Sequence, residues 1–411
     1  MPSLRLRVAL QSSLYSQFIL LGLPVAWMSA IVVASLAVRI QSQIYMSTRI
    51  IRPIFLSLWS IALVVEASAQ SMTVEQYSPV STLVVPSRKV MQAKYPFIDV
   101  HSHQNFLSAP SNRMRLIAQM DSINLRVLVN LSGGFGVNLK KGVEAAEAFP
   151  GRLIVFANVD FGNVDDPLFS QKAVDILERD VKNGAKGLKI FRELGLDIKD
   201  SKEKRVPVDD ERLDPIWKKC GELGIPVLIH SGAPKTFFQP VDKNNERWLE
   251  LDQFPDRQYP PDKFPTWEQV MTEQHNVFAK HPKTTFIDAH LGWLGGDLEA
   301  LGNILDKYPN VFTEIGAVLA EIGRQPRFAR AWFIKYQDRI LFGKDTWGPL
   351  DEYRVYFRVL ETEDEYFDYY RPRHAFWKMY GMGLPDDVLR KVYYKNALRL
   401  FPFIDALGFP K

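Results

Sequence analysis

Apolar positions are not spread evenly along this chain. From Tyr95 onward they gather into short β-branched or aliphatic runs at 97–101 (FIDVH), 125–130 (LRVLVN), 153–159 (LIVFANV), 187–191 (GLKIF), 226–230 (PVLIH), 285–289 (TFIDA), 310–315 (NVFTEI) and 339–343 (RILFG). Short, nearly continuous apolar runs of this kind predict strands covered on both faces. Between them apolar residues recur every three or four positions, as in "RMRLIAQMDS", "KKGVEAAEAF", "KAVDILERDVKNG", "LDPIWKKCGELG" and "LEALGNILDKY". That period predicts helices, several of them closed by Gly, Asn or Pro. Eight strands alternating with helices over about residues 96–401 predict an α/β fold of parallel units, a (β/α)8 TIM barrel, with a doubly wound open sheet as the structural rival.

Two connections are too long for simple turns. Residues 233–266, after the fifth strand, carry six prolines, and residues 346–385, after the eighth, are dense in Tyr, Phe and Trp. Long loops at strand C-termini shape or cover a site. Most of the aromatics are nonetheless read as packing extra helices against the barrel.

The first 69 residues have a different pattern. From Met46 the chain reads "MSTRIIRPIFLSLWSIALVVEASAQ": two arginines, 12 residues from Ile54 to Val65 dominated by apolar side chains, then Ala67-Ser68-Ala69. This is the layout of a secretory signal, with cleavage expected after Ala69 and Gln70 as the first mature residue. Upstream, Phe18–Val38 is a 21-residue apolar run, long enough to span a bilayer. The expected domains are therefore an apolar extension plus signal peptide (1–69, with Met46 as start), a linker (70–95) and a catalytic barrel (96–411). The protein is expected to be exported, periplasmic or secreted; the membrane enters only if 18–38 is a real anchor.

Charge changes one conclusion. The whole chain carries +4, but residues 1–69 hold Arg5, Arg7, Arg39, Arg49 and Arg52 against the single acid Glu66, so the remainder is neutral. No basic surplus remains to argue for nucleic acid. The expected partner is a small-molecule substrate, and a homo-oligomer is compatible with the pattern. The single cysteine, Cys220 in "WKKCGELG", excludes an internal disulfide and reads as a buried hydrophobe.

The candidate chemistry sits at strand ends. His101 and His103 lie two apart, so they project to the same side, with Asp99 one pleat behind. His230 ends "IPVLIH", His290 ends "TTFIDAH" and Asp345 ends "RILFGKD". In a barrel all strand C-termini meet at one rim, so these imidazoles and acids converge there.

In order along the chain, "DVHSH", "GLKIF", "VLIHSG", "DAHLGW", "ILFGKD" and the closing "YYKNALRLF" resemble the strand-end motifs of the amidohydrolase superfamily, over about residues 96–401. The nearest branch by these motifs is the amidohydrolase-related group that includes aminocarboxymuconate-semialdehyde decarboxylase. The resemblance implies that His101, His103, His230 and Asp345 bind one divalent metal, with His290 and Asp345 as catalytic groups. Imidazole plus carboxylate suits zinc, with Mn, Fe or Ni as alternatives. Lys189 is read as a substrate-binding residue, its rival role being a carboxylated bridge between two metals. Arg192, Glu314, Arg324 and Trp293 complete the candidate substrate contacts, and Lys186 beside Arg192 offers a cationic clamp. Lys344 departs from the pattern, standing where a small residue is usual before the aspartate. The expected activity is metal-dependent hydrolysis of a small, acidic organic substrate. Non-oxidative decarboxylation at the same metal is the alternative, and an exported binding protein without chemistry a third.

Overall fold

In the computed structural model, which describes residues 72–105 and 109–411, each of the eight apolar runs coincides with or overlaps a strand. These are β1 (Phe97–Ser102), β2 (Leu125–Asn130), β3 (Leu153–Val155), β4 (Leu188–Ile190), β5 (Val227–Ile229), β6 (Phe286–Asp288), β7 (Val311–Glu314) and β8 (Ile340–Leu341). All neighbours pair in parallel, β1 to β3 as one ladder and β4 to β8 as another. Single parallel bridges join the two ladders: Ala157 with Leu188, and Ser102 with Asp345. At the second seam Val100 N–H donates to the Phe342 carbonyl (3.0 Å) and Asp345 N–H to the His101 carbonyl (2.7 Å). The ring therefore closes between β8 and β1, as a (β/α)8 barrel requires, and an open sheet is excluded.

Eleven of the helices that sheathe it are α1 (Pro110–Ser122), α2 (Gly136–Ala146), α3 (Phe169–Lys182), α4 (Asp214–Leu223), α5 (Trp248–Gln253), α6 (Trp267–Lys280), α7 (Leu298–Lys307), α8 (Leu319–Gly323), α9 (Pro326–Lys335), α10 (Leu350–Glu361) and α11 (Asp386–Arg390). Side-chain chemistry fixes their ends locally. Thr266 caps α6 by accepting from Gln269 N–H, and Asp297 caps α7 by accepting from Ala300 N–H, both at 3.1 Å. Gly224 ends α4 at φ +66°, a left-handed conformation open to glycine.

The closing motif has a similarly concrete use. Asn396, buried, donates through its amide to the carbonyls of Gln337 (2.7 Å) and Ile340 (2.8 Å), tying the last helical segment to the start of β8. The aromatics after β8 mostly pack: Tyr353, Tyr356 and Phe357 are fully buried, and Phe97 and Phe342 meet edge to face at 4.7 Å.

The chain divides into two compact units, one ending at Val80 and one spanning Ser81–Lys411. In the first, the N–H groups of Gln76 and Tyr77 donate to the Thr73 carbonyl in a single turn. Within the second, part of the stretch read as linker is bonded to the barrel, with Arg88 N–H donating to Asp364 (2.8 Å) and Lys94 N–H to Glu361 (2.9 Å). The 18–38 run, the signal-like segment and the cleavage point after Ala69 lie outside the described residues. Among the described residues no helix is long and apolar enough to cross a membrane.

Candidate metal centre

The parallel closure brings the ends of β1, β5, β6, β7 and β8 to one rim. His101 is fully buried, and its Nδ1 lies 2.9 Å from Glu314 Oε1. A carboxylate can only accept, so Nδ1 carries the proton and Nε2 keeps its lone pair. That Nε2 is buried with no hydrogen-bond partner and stands 3.3 Å from Asp345 Oδ1. His103 Nε2 is also 3.3 Å from the same oxygen, while its Nδ1 pairs with Ser132 Oγ at 2.8 Å. Ligand-capable atoms of His101, His103 and Asp345 lie within 4.8 Å of one another.

His230 joins by a different route. His290 Nδ1 donates to the Gly316 carbonyl (2.8 Å), which leaves its Nε2 as an acceptor for His230 Nδ1 at 3.3 Å. His230 Nε2 is consequently a bare lone pair, buried and without a partner. In this tautomer the His290 Nε2 accepts rather than donates. Burial lowers the pKa of His290 to about 4 and holds those of His101 and His230 well below the usual histidine value. All three are neutral at pH 7, the form in which imidazole ligates a metal.

Asp345 stays ionised. Burial acts to raise its pKa, but the hydrogen bond from His103 and the nearby imidazoles outweigh it and hold the carboxyl well below its usual range. Its backbone is in the left-handed region at φ +82°. His290, Leu291 and Trp293 share that region at φ +59°, +53° and +56°, which for L-residues costs about 1–2 kcal/mol each. The turn places Trp293 in a stack on His290, centroids 4.4 Å apart.

Glu314, fully buried, sits at the hub. It accepts from His101 Nδ1, from His290 N–H (2.7 Å) and from Gly316 N–H (2.5 Å). His101, His290 and Glu314 also have ligand-capable atoms within 4.8 Å of one another, but this group is occupied by its own hydrogen bonds and serves to orient. A Cβ at Gly343 would collide with the Glu314 carboxylate and His101, which explains the glycine in "ILFGKD".

The remaining sequence candidates divide. Lys189 is buried, its Nζ has no hydrogen-bond partner, and burial lowers its pKa to about 8 against the pull of Asp345 and Glu314. Arg324 is taken up by Glu246 in a two-pronged pair (2.8 and 3.2 Å) over the Trp377 ring. Arg192 is exposed, and Lys186 lies over Phe403 before β4, at the opposite end of the barrel from the rim. The expected clamp of Lys186 with Arg192 does not form, because the two residues flank the strand. Lys344 points away from the ligands, donating to Thr346 O (2.6 Å) and to Glu352.

Asp99 emerges as a brace. It accepts from His101 N–H (3.0 Å), Lys344 N–H (3.1 Å) and Tyr353 Oη (2.6 Å), so one carboxylate binds both ligand-bearing strands. Burial pushes its pKa up to about 7. Sequence reading placed Asp99 one pleat behind the histidines but gave no sign of Tyr353, 254 positions away.

The amidohydrolase family profile matches residues 137–403. The chain belongs to the amidohydrolase family. The matched span includes His230, His290 and Asp345, and leaves β1 with its two histidines outside. Membership identifies a metal-dependent enzyme, and the unpartnered Nε2 of His101 beside an ionised Asp345, with a second bare Nε2 on His230, fits such a cation. No curated protein sequence matches the chain. Solved structures similar to it include an uncharacterized TIM-barrel protein from Bordetella bronchiseptica (17% identity, 74% of this chain and 98% of that one, TM-score 0.46). Others are a dihydroxybenzoic acid decarboxylase from Polaromonas sp. JS666 with bound manganese and 2-nitroresorcinol (15%, 76% and 99%, 0.46) and a 4-oxalomesaconate hydratase from Rhodopseudomonas palustris (15%, 75% and 97%, 0.43). Likeness at that level carries nothing about this amidohydrolase's own reaction.

Proposed function

We infer that this amidohydrolase is a metal-dependent hydrolase of a small organic acid, with His101, His103, His230 and Asp345 holding one divalent cation, zinc by the chemistry of the donors. The observation that carries the reading is Asp345 Oδ1 standing 3.3 Å from both His101 Nε2 and His103 Nε2, a carboxylate kept ionised between two imidazoles. When bound, the cation supplies a nucleophile at neutral pH by lowering the pKa of water from 15.7 to about 7. Asp345 accepts the proton of the attacking water and returns it to the leaving group. His290, whose Nε2 is an acceptor, is the second catalytic group: it can receive that same proton from Asp345 and hold it until the leaving group takes it. Lys189, a buried ammonium without a hydrogen-bond partner, pairs with the acid group of the substrate. Glu314 keeps His101 and His290 in register, and Trp293 walls the site beside His290.

The test is a panel of amides, esters and lactones bearing a carboxylate, assayed with protein purified without chelators and analysed for metal. One equivalent of metal, hydrolysis of a panel member and its loss in Asp345→Asn support the reading. Carbon dioxide release with no hydrolysis product replaces it by decarboxylation, and absence of stoichiometric metal removes both. The signal-like segment from Met46 further supports export, checked by N-terminal sequencing of the released protein for a start at Gln70.

A further inference from the structure

His290 owes its proton position to a single peptide unit. Its Nδ1–H donates to the Gly316 carbonyl at 2.8 Å, and the N–H at the other end of that same unit, on Ala317, donates to Tyr356 Oη at 3.0 Å. A peptide unit is planar, with its C=O and N–H fixed on opposite sides, so neither bond can turn without moving the other. The run from Tyr356 through Ala317 and Gly316 to His290 thus crosses from α10, in the aromatic stretch after β8, to the end of β6. Tyr356 is fully buried, and this bond gives one of those aromatics a use beyond packing.

The orientation of the unit is not the one that alanine prefers. Ala317 has φ +56°, in the left-handed region that a Cβ disfavours. Turning the unit over would carry φ into the extended region, relaxed for alanine, and would swing the carbonyl away from His290. The two hydrogen bonds oppose that turn, and Glu314 anchors the preceding N–H, on Gly316, at 2.5 Å. A Cβ at Gly316 would lie 2.7 Å from the Glu314 carboxylate and 3.3 Å from Asp345 N. The turn therefore fits as glycine and lies directly against the Asp345 backbone. His290 in its turn accepts from His230 through Nε2 (3.3 Å), the bond that leaves His230 Nε2 bare.

We propose that Tyr356 is a positioning residue of the metal centre: its hydroxyl holds the Gly316–Ala317 peptide so that the carbonyl fixes the His290 tautomer, and His290 presents His230 as a ligand. The hydrogen-bonded run stands on its own distances; that it serves a cation rests on the metal-dependent reading above.

Histidine-selective 15N labelling of the full-length protein, as purified, reads the run at neutral pH, with the His290 signals identified by their loss in His290→Gln. In the unaltered protein Nδ1 should carry the proton and Nε2 none. Tyr356→Phe removes one oxygen and keeps the ring. It should speed exchange of the Nδ1 proton with solvent by about threefold to tenfold, the value of one hydrogen bond. Metal binding, followed by chelator competition, should weaken by about the same factor, less than on loss of a direct partner of a ligand. Glycine adopts positive φ freely, so adding Ala317→Gly should return exchange to within about twofold of the unaltered protein. Tyr393→Phe, which removes a fully buried hydroxyl bonded to Glu361 at 2.6 Å, should leave exchange and metal affinity unchanged, and so separates positioning from a general loss of stability. A proton on His290 Nε2 in the unaltered protein, exchange or affinity unchanged in Tyr356→Phe, or an equal response in Tyr393→Phe would overturn the proposal. Because exchange is read without turnover, a protein that shows the response but hydrolyses nothing leaves Tyr356 in this role and removes only the hydrolase reading.

Discussion

Replacing Glu314 by glutamine separates metal orientation from folding. The side chain keeps its size in a position with no room to move, enclosed by His101, His290, Gly316 and Gly343. Two consequences oppose each other in the metal-free protein. The amide removes a buried charge, which burial itself disfavours and which raises the Glu314 pKa. It also turns an acceptor into a donor facing either Gly316 N–H or the pair of donors from His101 and His290, a loss of about 1.5–3 kcal/mol for a charge-assisted hydrogen bond. With both terms of similar size, Glu314→Gln should shift the unfolding free energy of the metal-free protein by no more than about 1–2 kcal/mol. Metal binding has no such offset. His101 loses the anion that fixes its tautomer and increases its basicity, and loss of such an outer partner weakens metal affinity by about 10–100-fold. A chelator competition followed at equilibrium measures this directly. Affinity within about threefold of the unaltered protein, with folding intact, would refute the claim that Glu314 sets the ligand form of His101.

Three further outcomes follow from buried charges. Lys189→Met should raise the stability of the metal-free protein at pH 7, because the folded-state pKa of about 8 lies below the ordinary 10.5 and the buried ammonium opposes folding at every pH below that range; it should also lower kcat/KM for acidic substrates, and a lower denaturant midpoint for the variant would show that the ammonium has a stabilising partner. Asp288 accepts from Gln274 at 3.0 Å, has a second oxygen without a partner, and is pushed by burial to about 8. Its contribution is present below the unfolded value of 3.8 and is lost as pH rises toward 8, by at most about 1.4 kcal/mol per pH unit. Asp288→Asn should therefore flatten the decline of unfolding free energy between pH 7 and 8, and an identical slope in both proteins would contradict the assignment. Lys344→Met removes the bonds to Thr346 O and Glu352 that bracket Asp345. Since the Glu352 side chain retains 20% exposure, the cost should fall below the 3–5 kcal/mol of a fully buried pair, at about 2–3 kcal/mol by chemical denaturation; an unchanged midpoint would show that Lys344 does not brace the turn.

The sequence by itself determined the eight strands, their alternation with helices, and the strand ends at which histidine and aspartate stand. It could do so because a strand buried on both faces must be continuously apolar, and because side chains two apart on a strand share a side. "DVHSH" therefore announced a pair of imidazoles before any fold was known. The tertiary structure decided which groups those residues meet. Glu314 acquires its role from His101, 213 positions earlier, and Tyr353 reaches Asp99 only after the ring closes between β1 and β8. Arg324 looked available to an acidic substrate until Glu246, brought in by the long loop after β5, occupied it. The forms of the histidines belong to the same class: the Gly316 carbonyl fixes His290, and His290 fixes His230. Proton positions and ion-pair choices depend on distances of about 3 Å, and such distances between remote segments are set by packing rather than by local pattern.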